Sequence, residues 1–136
     1  MITTYAHILP VKAQAPGAAI TTATTSSTVD TNVYNNNFRD VTFVYLSGTI
    51  TDGAWAVTLQ ECDTSGGSYT AVPADRIQGT LPAFALTDDN TVKFVSCRPT
   101  KRYVQAVITP TGASTGGVFS CIAVLGNGSI NPPAQS

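Results

Sequence analysis

The residue types that do chemistry are few in this chain and badly spaced for it. Acyl transfer of the Ser-His-Asp kind needs a histidine to take the nucleophile's proton and a third group to orient that histidine. The only histidine, His7, lies in an N-terminal stretch with no periodicity to hold it, and no Gly-x-Ser-x-Gly elbow occurs. A zinc site needs clustered His and Cys ligands, whereas Cys62, Cys97 and Cys121 are scattered and contain no Cys-x-x-Cys pair. An odd number of widely spaced thiols does not make a disulfide framework, so buried free thiols in a reducing cytosol are expected. Asp88-Asp89-Asn90 offers the hard oxygens that calcium takes. The spaced ligands of a calcium loop are missing, however, and Asx side chains cap turns by bonding their own backbone, so a plain turn is expected. Glu61 and Asp63 would be an acid pair for glycoside cleavage only with a substrate held between them. Two residues apart on a strand, they share a face on which like charges repel. Trp55, Tyr69 and Tyr103 would form a sugar-stacking platform if exposed, but aromatics at alternating strand positions are more often core. No catalytic residue, metal ligand or cofactor is assigned.

Contact chemistry is better represented. Arg98, Lys101 and Arg102 form the one basic cluster, which either docks an acidic partner or is a solvated turn. The net charge of -1 argues against general nucleic-acid binding, which needs a basic excess to neutralise phosphates. No run of apolar residues is long enough to span a membrane, and residues 1–20 lack the basic and then apolar regions of a secretory signal. Charged residues make up only 11% of the chain, less than half of the ~25% usual in globular proteins. Thr, Ser, Asn and Gly take their place. A surface of that kind is easier to bury against another protein, because desolvating Thr or Asn costs far less than desolvating Lys or Glu.

The elements that carry these residues read as strands. In residues 41–61, VTFVYLSGTITDGAWAVTLQE, the residues Val41, Phe43 and Tyr45 alternate with Thr42, Val44 and Leu46, and Trp55, Val57 and Leu59 alternate with Ala54, Ala56 and Thr58. A period of two with branched and aromatic residues fits a half-buried pleated surface. Asp52-Gly53 between the runs is a strong turn dipeptide, which predicts a hairpin with the only tryptophan at the centre of the core. Residues 18–29 read as an edge strand or two short pieces, and residues 30–40 as a loop anchored by Val33, Tyr34 and Phe38. Further strands are predicted at 69–72, 83–87, 91–97, 102–109 and 118–125, with one helical turn or short strand at 74–79. Short strands at regular spacing, without an amphipathic helix, make an all-β sandwich or barrel. The predicted organisation is an extended N-terminal arm over residues 1–17, one β domain over 18–126 and a tail over 127–136 of the 136 residues.

Four segments in order, DVTFVYLSGTITDG (40–53), VTLQECD (57–63), KRYVQAVITPTGASTGG (101–117) and AVLG (123–126), resemble a family of small proteins of tailed phages and prophages, typically encoded beside the major capsid protein. The resemblance covers approximately residues 11–126 and rests on the order and spacing of short motifs. Cys62 departs from it, standing where the family pattern more often has serine. The resemblance implies a capsid cement or decoration protein: a jelly-roll-like antiparallel β-sandwich, often trimeric, on the outer head surface of a virion assembled in the bacterial cytoplasm. Its partner would be the major capsid protein, with neither nucleic acid nor membrane involved. The contact residues expected on this reading are Tyr5, His7, Ile8, Pro10 and Lys12 in the arm, with Arg98, Lys101 and Arg102 in the basic cluster. The arm would strap onto a neighbouring subunit, and its removal would leave the β domain folded. Two other classes stay open: a minor tail or head-completion component, and a carbohydrate-binding sandwich presenting Trp55 or Tyr103.

Overall fold

The computed structural model describes residues 3–129. Among these residues eleven strands follow one another, joined by loops and by 3-10 turns at Thr4–Ala6, Val33–Asn35 and Ala74–Arg76. They are β1 (Ile8–Gln14), β2 (Thr24–Thr25), β3 (Val29–Asp30), β4 (Phe38–Ile50), β5 (Ala54–Cys62), β6 (Thr70–Ala71), β7 (Ile77–Gln78), β8 (Ala83–Phe84), β9 (Val92–Cys97), β10 (Tyr103–Thr111) and β11 (Gly117–Gly128). One sheet has the order β1-β11-β4-β9-β7; the other has β2-β10-β5-β6, with β3 also pairing β10 and β8 also pairing β5. Every pairing is antiparallel.

If the short pieces β2 and β3 count as one interrupted strand, and β6 and β8 as another, the chain changes sheet at every step except from β5 to β6. That is jelly-roll topology, two interleaved Greek keys. The sheets remain open at their edges, so the fold is a sandwich and not the small barrel.

The period of two is observed, and the phase that contains Trp55 faces the core, as expected of the only tryptophan. Val41, Phe43 and Tyr45 of β4 face Trp55, Val57 and Leu59 of β5 across the core, all almost wholly buried. Trp55 sits 4.8 Å from Phe119, and Phe84 lies 5.2 Å from the same ring. The indole N–H donates to the carbonyl of Asp52 at 3.2 Å, which satisfies the one polar atom of a buried tryptophan.

Residues 41–61 do not form a hairpin: β4 pairs with β11 and β9, while β5 pairs with β10, β6 and β8. The turn at Asp52-Gly53 carries the chain from one sheet over to the other. Its carboxylate is used to tie down a distant loop, so the turn does not close a ladder.

The N-terminal arm likewise contains a paired strand, β1 (Ile8–Gln14). β1 runs antiparallel to β11, with Leu9 opposite Leu125 and Val11 opposite Ala123, and Leu9 and Ala13 are buried. Pro10 concealed this in the sequence, because proline cannot donate to a ladder; it is tolerated here because β1 is the edge of its sheet. Removing residues 1–17 would strip an edge strand and uncover core. Tyr34, expected to anchor its loop, is 45% exposed. Of the predicted tail, residues 127 and 128 complete β11, and residues 130–136 lie outside the described residues.

Candidate functional site

At one end of the sandwich the turn between β9 and β10 brings Arg98, Lys101 and Arg102 together with Arg39 at the start of β4. These are four of the seven cationic residues of the chain, and they border a depression of about 430 Å³ whose walls also include Thr31, Asn37 and Pro99. Arg102 grips Asp30 with two parallel bonds, Nε to Oδ1 at 2.8 Å and Nη2 to Oδ2 at 2.9 Å. Arg98 Nε donates to Asp40 Oδ1 at 2.8 Å. The Arg102 guanidinium lowers the Asp30 carboxyl below its ordinary value. Bonding to Asp40 and Asp30 in turn raises Arg98 and Arg102. Among the described residues Arg39 and Lys101 form no ion pair.

The turn itself is pinned from beneath. Glu61, 2% exposed near the end of β5, accepts the N–H of Thr100 at 2.9 Å and its hydroxyl at 2.7 Å. Thr31 donates both its hydroxyl, at 2.6 Å, and its N–H, at 3.1 Å, to the carbonyl of Arg102. Glu61 is thus the group that shapes this turn, with no role in an acid pair. A short, anchored turn that sets Lys101 near Arg39 of β4, neither of them in an ion pair among the described residues, is suited to receiving carboxylates.

The N-terminal contact residues divide. Ile8 is in register with Gly126 and, one strand further, with Asp40, and Asp40 bonds Arg98 and the side-chain amide of Asn127. His7 and Ile8 border a shallow hollow with Gly126 and Asn127, and Tyr5, 66% exposed, lies in the turn just before them. Tyr5, His7 and Ile8 therefore approach the basic end of the sandwich. Pro10 and Lys12 instead point outward along β1.

That outward face is the feature that sequence reasoning missed. On the solvent side of β1, β11, β4 and β9, one rung of the ladder reads Lys12, Ile122, Val44, Phe94. The next reads Pro10, Val124, Thr42, Ser96, and on the other side Ser120, Leu46 and Val92 are in register, so the polar positions are the hydroxyls of Thr42, Ser96 and Ser120 together with Lys12. Phe94 is 66% exposed, Val92 56%, Ile122 51% and Leu46 47%. Lys12 is the only charged side chain on these three rungs. A contiguous apolar patch on a sheet face marks a protein contact. The signal was present in the sequence of β11, where Ile122 and Val124 in one phase of the strand period stand against Phe119, Ala123 and Leu125 in the other, and a sandwich has one core to receive only one of the two phases.

No catalytic arrangement emerges among the described residues. No group of three metal-ligating side chains occurs. Asp88 accepts the N–H of Ala85 and pairs with Lys93, and Asp89 accepts the N–H of Ile50, so this acidic run is the plain turn expected. Trp55 is 1% exposed and cannot stack on a sugar. Tyr103 is half-buried beneath the Arg102 guanidinium, 5.0 Å from its ring centre. The cysteines are free and buried, as expected. No known protein-family model matches the chain, and no curated protein matches it either.

Proposed function

We propose that this protein is a structural component of a tailed-phage virion, a decoration protein that binds the outer surface of the head and bridges major capsid subunits. The observation that carries the reading is the basic end. Four cations border one depression at this end of the sandwich, two of them, Arg39 and Lys101, outside any ion pair among the described residues. In a chain whose net charge is -1 they give the sandwich one oriented docking point for an acidic protein surface. The motif resemblance to proteins encoded beside the major capsid protein supports the same reading, as do the jelly-roll scaffold and the low surface charge. Each docked chain makes a modest contact. Binding neighbouring subunits together raises the effective concentration of every further contact and stabilises the bound lattice against expansion.

The test is co-sedimentation of the purified protein with empty heads of the phage that encodes it. Binding at a stoichiometry tied to the capsid lattice, weakened by Arg39→Glu and Lys101→Glu and by added salt, is the expected result. Heads that sediment without the protein would end this reading and favour a tail component.

A further inference from the structure

We propose that the apolar outer face of the β1-β11-β4-β9 sheet is a self-association surface that pairs two copies of this chain about a two-fold axis, with Phe94 of each copy seated in a hollow at the β1 edge of the other. This goes beyond head binding and does not depend on it.

The face is complementary to itself. Its most exposed large side chain, Phe94, stands on β9 at one side of the four-strand face. At the other side, where β1 carries an irregularity between Lys12 and Gln14, there is a hollow of about 450 Å³. Pro10, Ala15, Pro16 and Ile122 give it a mostly apolar lining. Knob and hollow lie on one rung, Lys12-Ile122-Val44-Phe94. Stack this face on a copy, with the two-fold axis parallel to the strands and passing between β11 and β4. The rotation then places β9 over the other copy's β1 and β4 over the other copy's β11. Each Phe94 meets the hollow, and each Val44 meets an Ile122. A two-fold contact of this kind uses one patch twice, so one knob and one hollow suffice.

The same operation resolves the only charge on these rungs. Lys12 borders the hollow, so its stem becomes part of the apolar wall while its ammonium faces the inserted ring, an attractive placement for a cation. An unrelated partner has no reason to carry an aromatic knob at this offset; a second copy carries it by symmetry.

Area sets the strength. Four strands at ~4.8 Å spacing with three outward residues each cover roughly 400 Å² of flat face. That is about half of the ~800 Å² per partner in a standard stable interface. The pairing is consequently weak and reversible, and its symmetry is two-fold, not the three-fold association that the family resemblance implies.

Sedimentation equilibrium of the full-length protein, without heads, tests this from about 1 µM to about 1 mM, the range in which a contact below standard size half-populates. The expected result is a monomer–dimer equilibrium whose dissociation constant rises at least tenfold with Phe94→Asp and with Ala15→Trp, which fills the hollow from the other side. Phe94→Ala provides the same comparison without placing a charge on the face. Circular dichroism and Tm confirm that each variant is folded, and exposed positions are expected to leave both unchanged. A monomer throughout, a trimer, or a dimer indifferent to all three variants would overturn the proposal. Since no heads are present, failure of head binding leaves this result standing, and the reverse also holds.

Discussion

The N–H of Gly116 donates to the carboxylate of Asp52 at 2.6 Å, joining positions 64 residues apart. The same carboxylate accepts the N–H groups of Ser114 and Thr115 and the Ser114 hydroxyl. The TDG and TGASTGG motifs, distant in the chain, are therefore two halves of one structure. An aspartate at the crossing from β4 to β5 caps the loop that connects β10 to β11.

This cap makes the fold acid-sensitive in a defined direction. The N–H groups of Thr115 and Gly116, then the Ser114 hydroxyl, hold the Asp52 carboxyl well below its ordinary 3.8. A carboxyl more acidic in the folded than the unfolded chain stabilises fully above the unfolded value, and that stabilisation is lost as pH falls through and below it. The Tm of the wild type is expected to fall steeply below about pH 4. Asp52→Asn should lower the Tm at pH 7 by about 4 °C or more and flatten, without abolishing, the acid slope, because Asp30 and Asp88 are lowered in the same sense. Scanning calorimetry at a series of pH values measures both; parallel profiles for the two proteins would refute the cap's role.

Gly116 carries a second constraint that separates it from its neighbour Gly112. Both have positive φ, +90° and +74°. A Cβ on Gly116 would fall 1.9 Å from the carbonyl oxygen of Ile20, whereas one on Gly112 meets nothing within 4 Å. Gly112→Ala is therefore expected to cost about 1–2 kcal/mol from its left-handed backbone alone. Gly116→Ala has no such escape: Ile20 and Gly117 are bonded to one another through both backbone groups, so the clash must break a bridge. Its expected cost exceeds ~4 kcal/mol, in the range reserved for named structural faults. Urea unfolding of the two variants decides, and equal losses would show that the loop moves aside.

The contrast between local and distant signals explains what could be read from the chain. Alternation located β4, β5 and β9, and branched, apolar runs located β10 and β11; in β4 and β5 burial on one face writes itself into every second position. Pairing is not written that way. Asp52-Gly53 carries the local signature of a hairpin, yet the partners of β4 are β11 and β9, chosen by which strands share a core layer. Pro10 suppressed the strand pattern of β1 for a reason that applies to central strands and not to edges. Of the candidate site, Arg98, Lys101 and Arg102 were visible as neighbours in sequence, whereas Arg39 joins them only through the fold. The apolar outer face was overlooked because Val44, Leu46, Phe94 and Ile122 each look like ordinary strand residues until the sheet places them side by side.

Thr100 links the core to the basic turn. With Glu61 buried and bonded to both polar groups of Thr100, Thr100→Val leaves the carboxylate one hydrogen bond short. The expected cost is ~1.5–3 kcal/mol, the range for bonds to charged groups. Because the same bonds hold the turn that carries Arg98, Lys101 and Arg102, NMR amide shifts of residues 98–102 should move in Thr100→Val while those of β11 stay in place. Shifts confined to residue 100 would show that the turn is held by Thr31 alone.

The three thiols are graded in their access to reagent, which gives a probe of local opening. Cys97 and Cys121 are 2% and 1% exposed, and burial pushes both thiols up to about 12. The thiolate is the reactive form, so at pH 8 these two are almost entirely in the inert state as well as out of reach. Cys62, 7% exposed at the end of β5 with Thr64 beside its sulfur, is nearest to solvent. An aromatic disulfide reagent at pH 8 is therefore expected to modify Cys62 first, at a rate set by fraying of the β5 end. Cys97 and Cys121 should react only as fast as the sandwich unfolds globally, since each lies in a strand with ladder partners on both sides. Peptide mapping of the modified protein against time orders the three sites. Early labelling of Cys121 would mean that β1, the edge strand paired with β11, detaches without the rest of the fold.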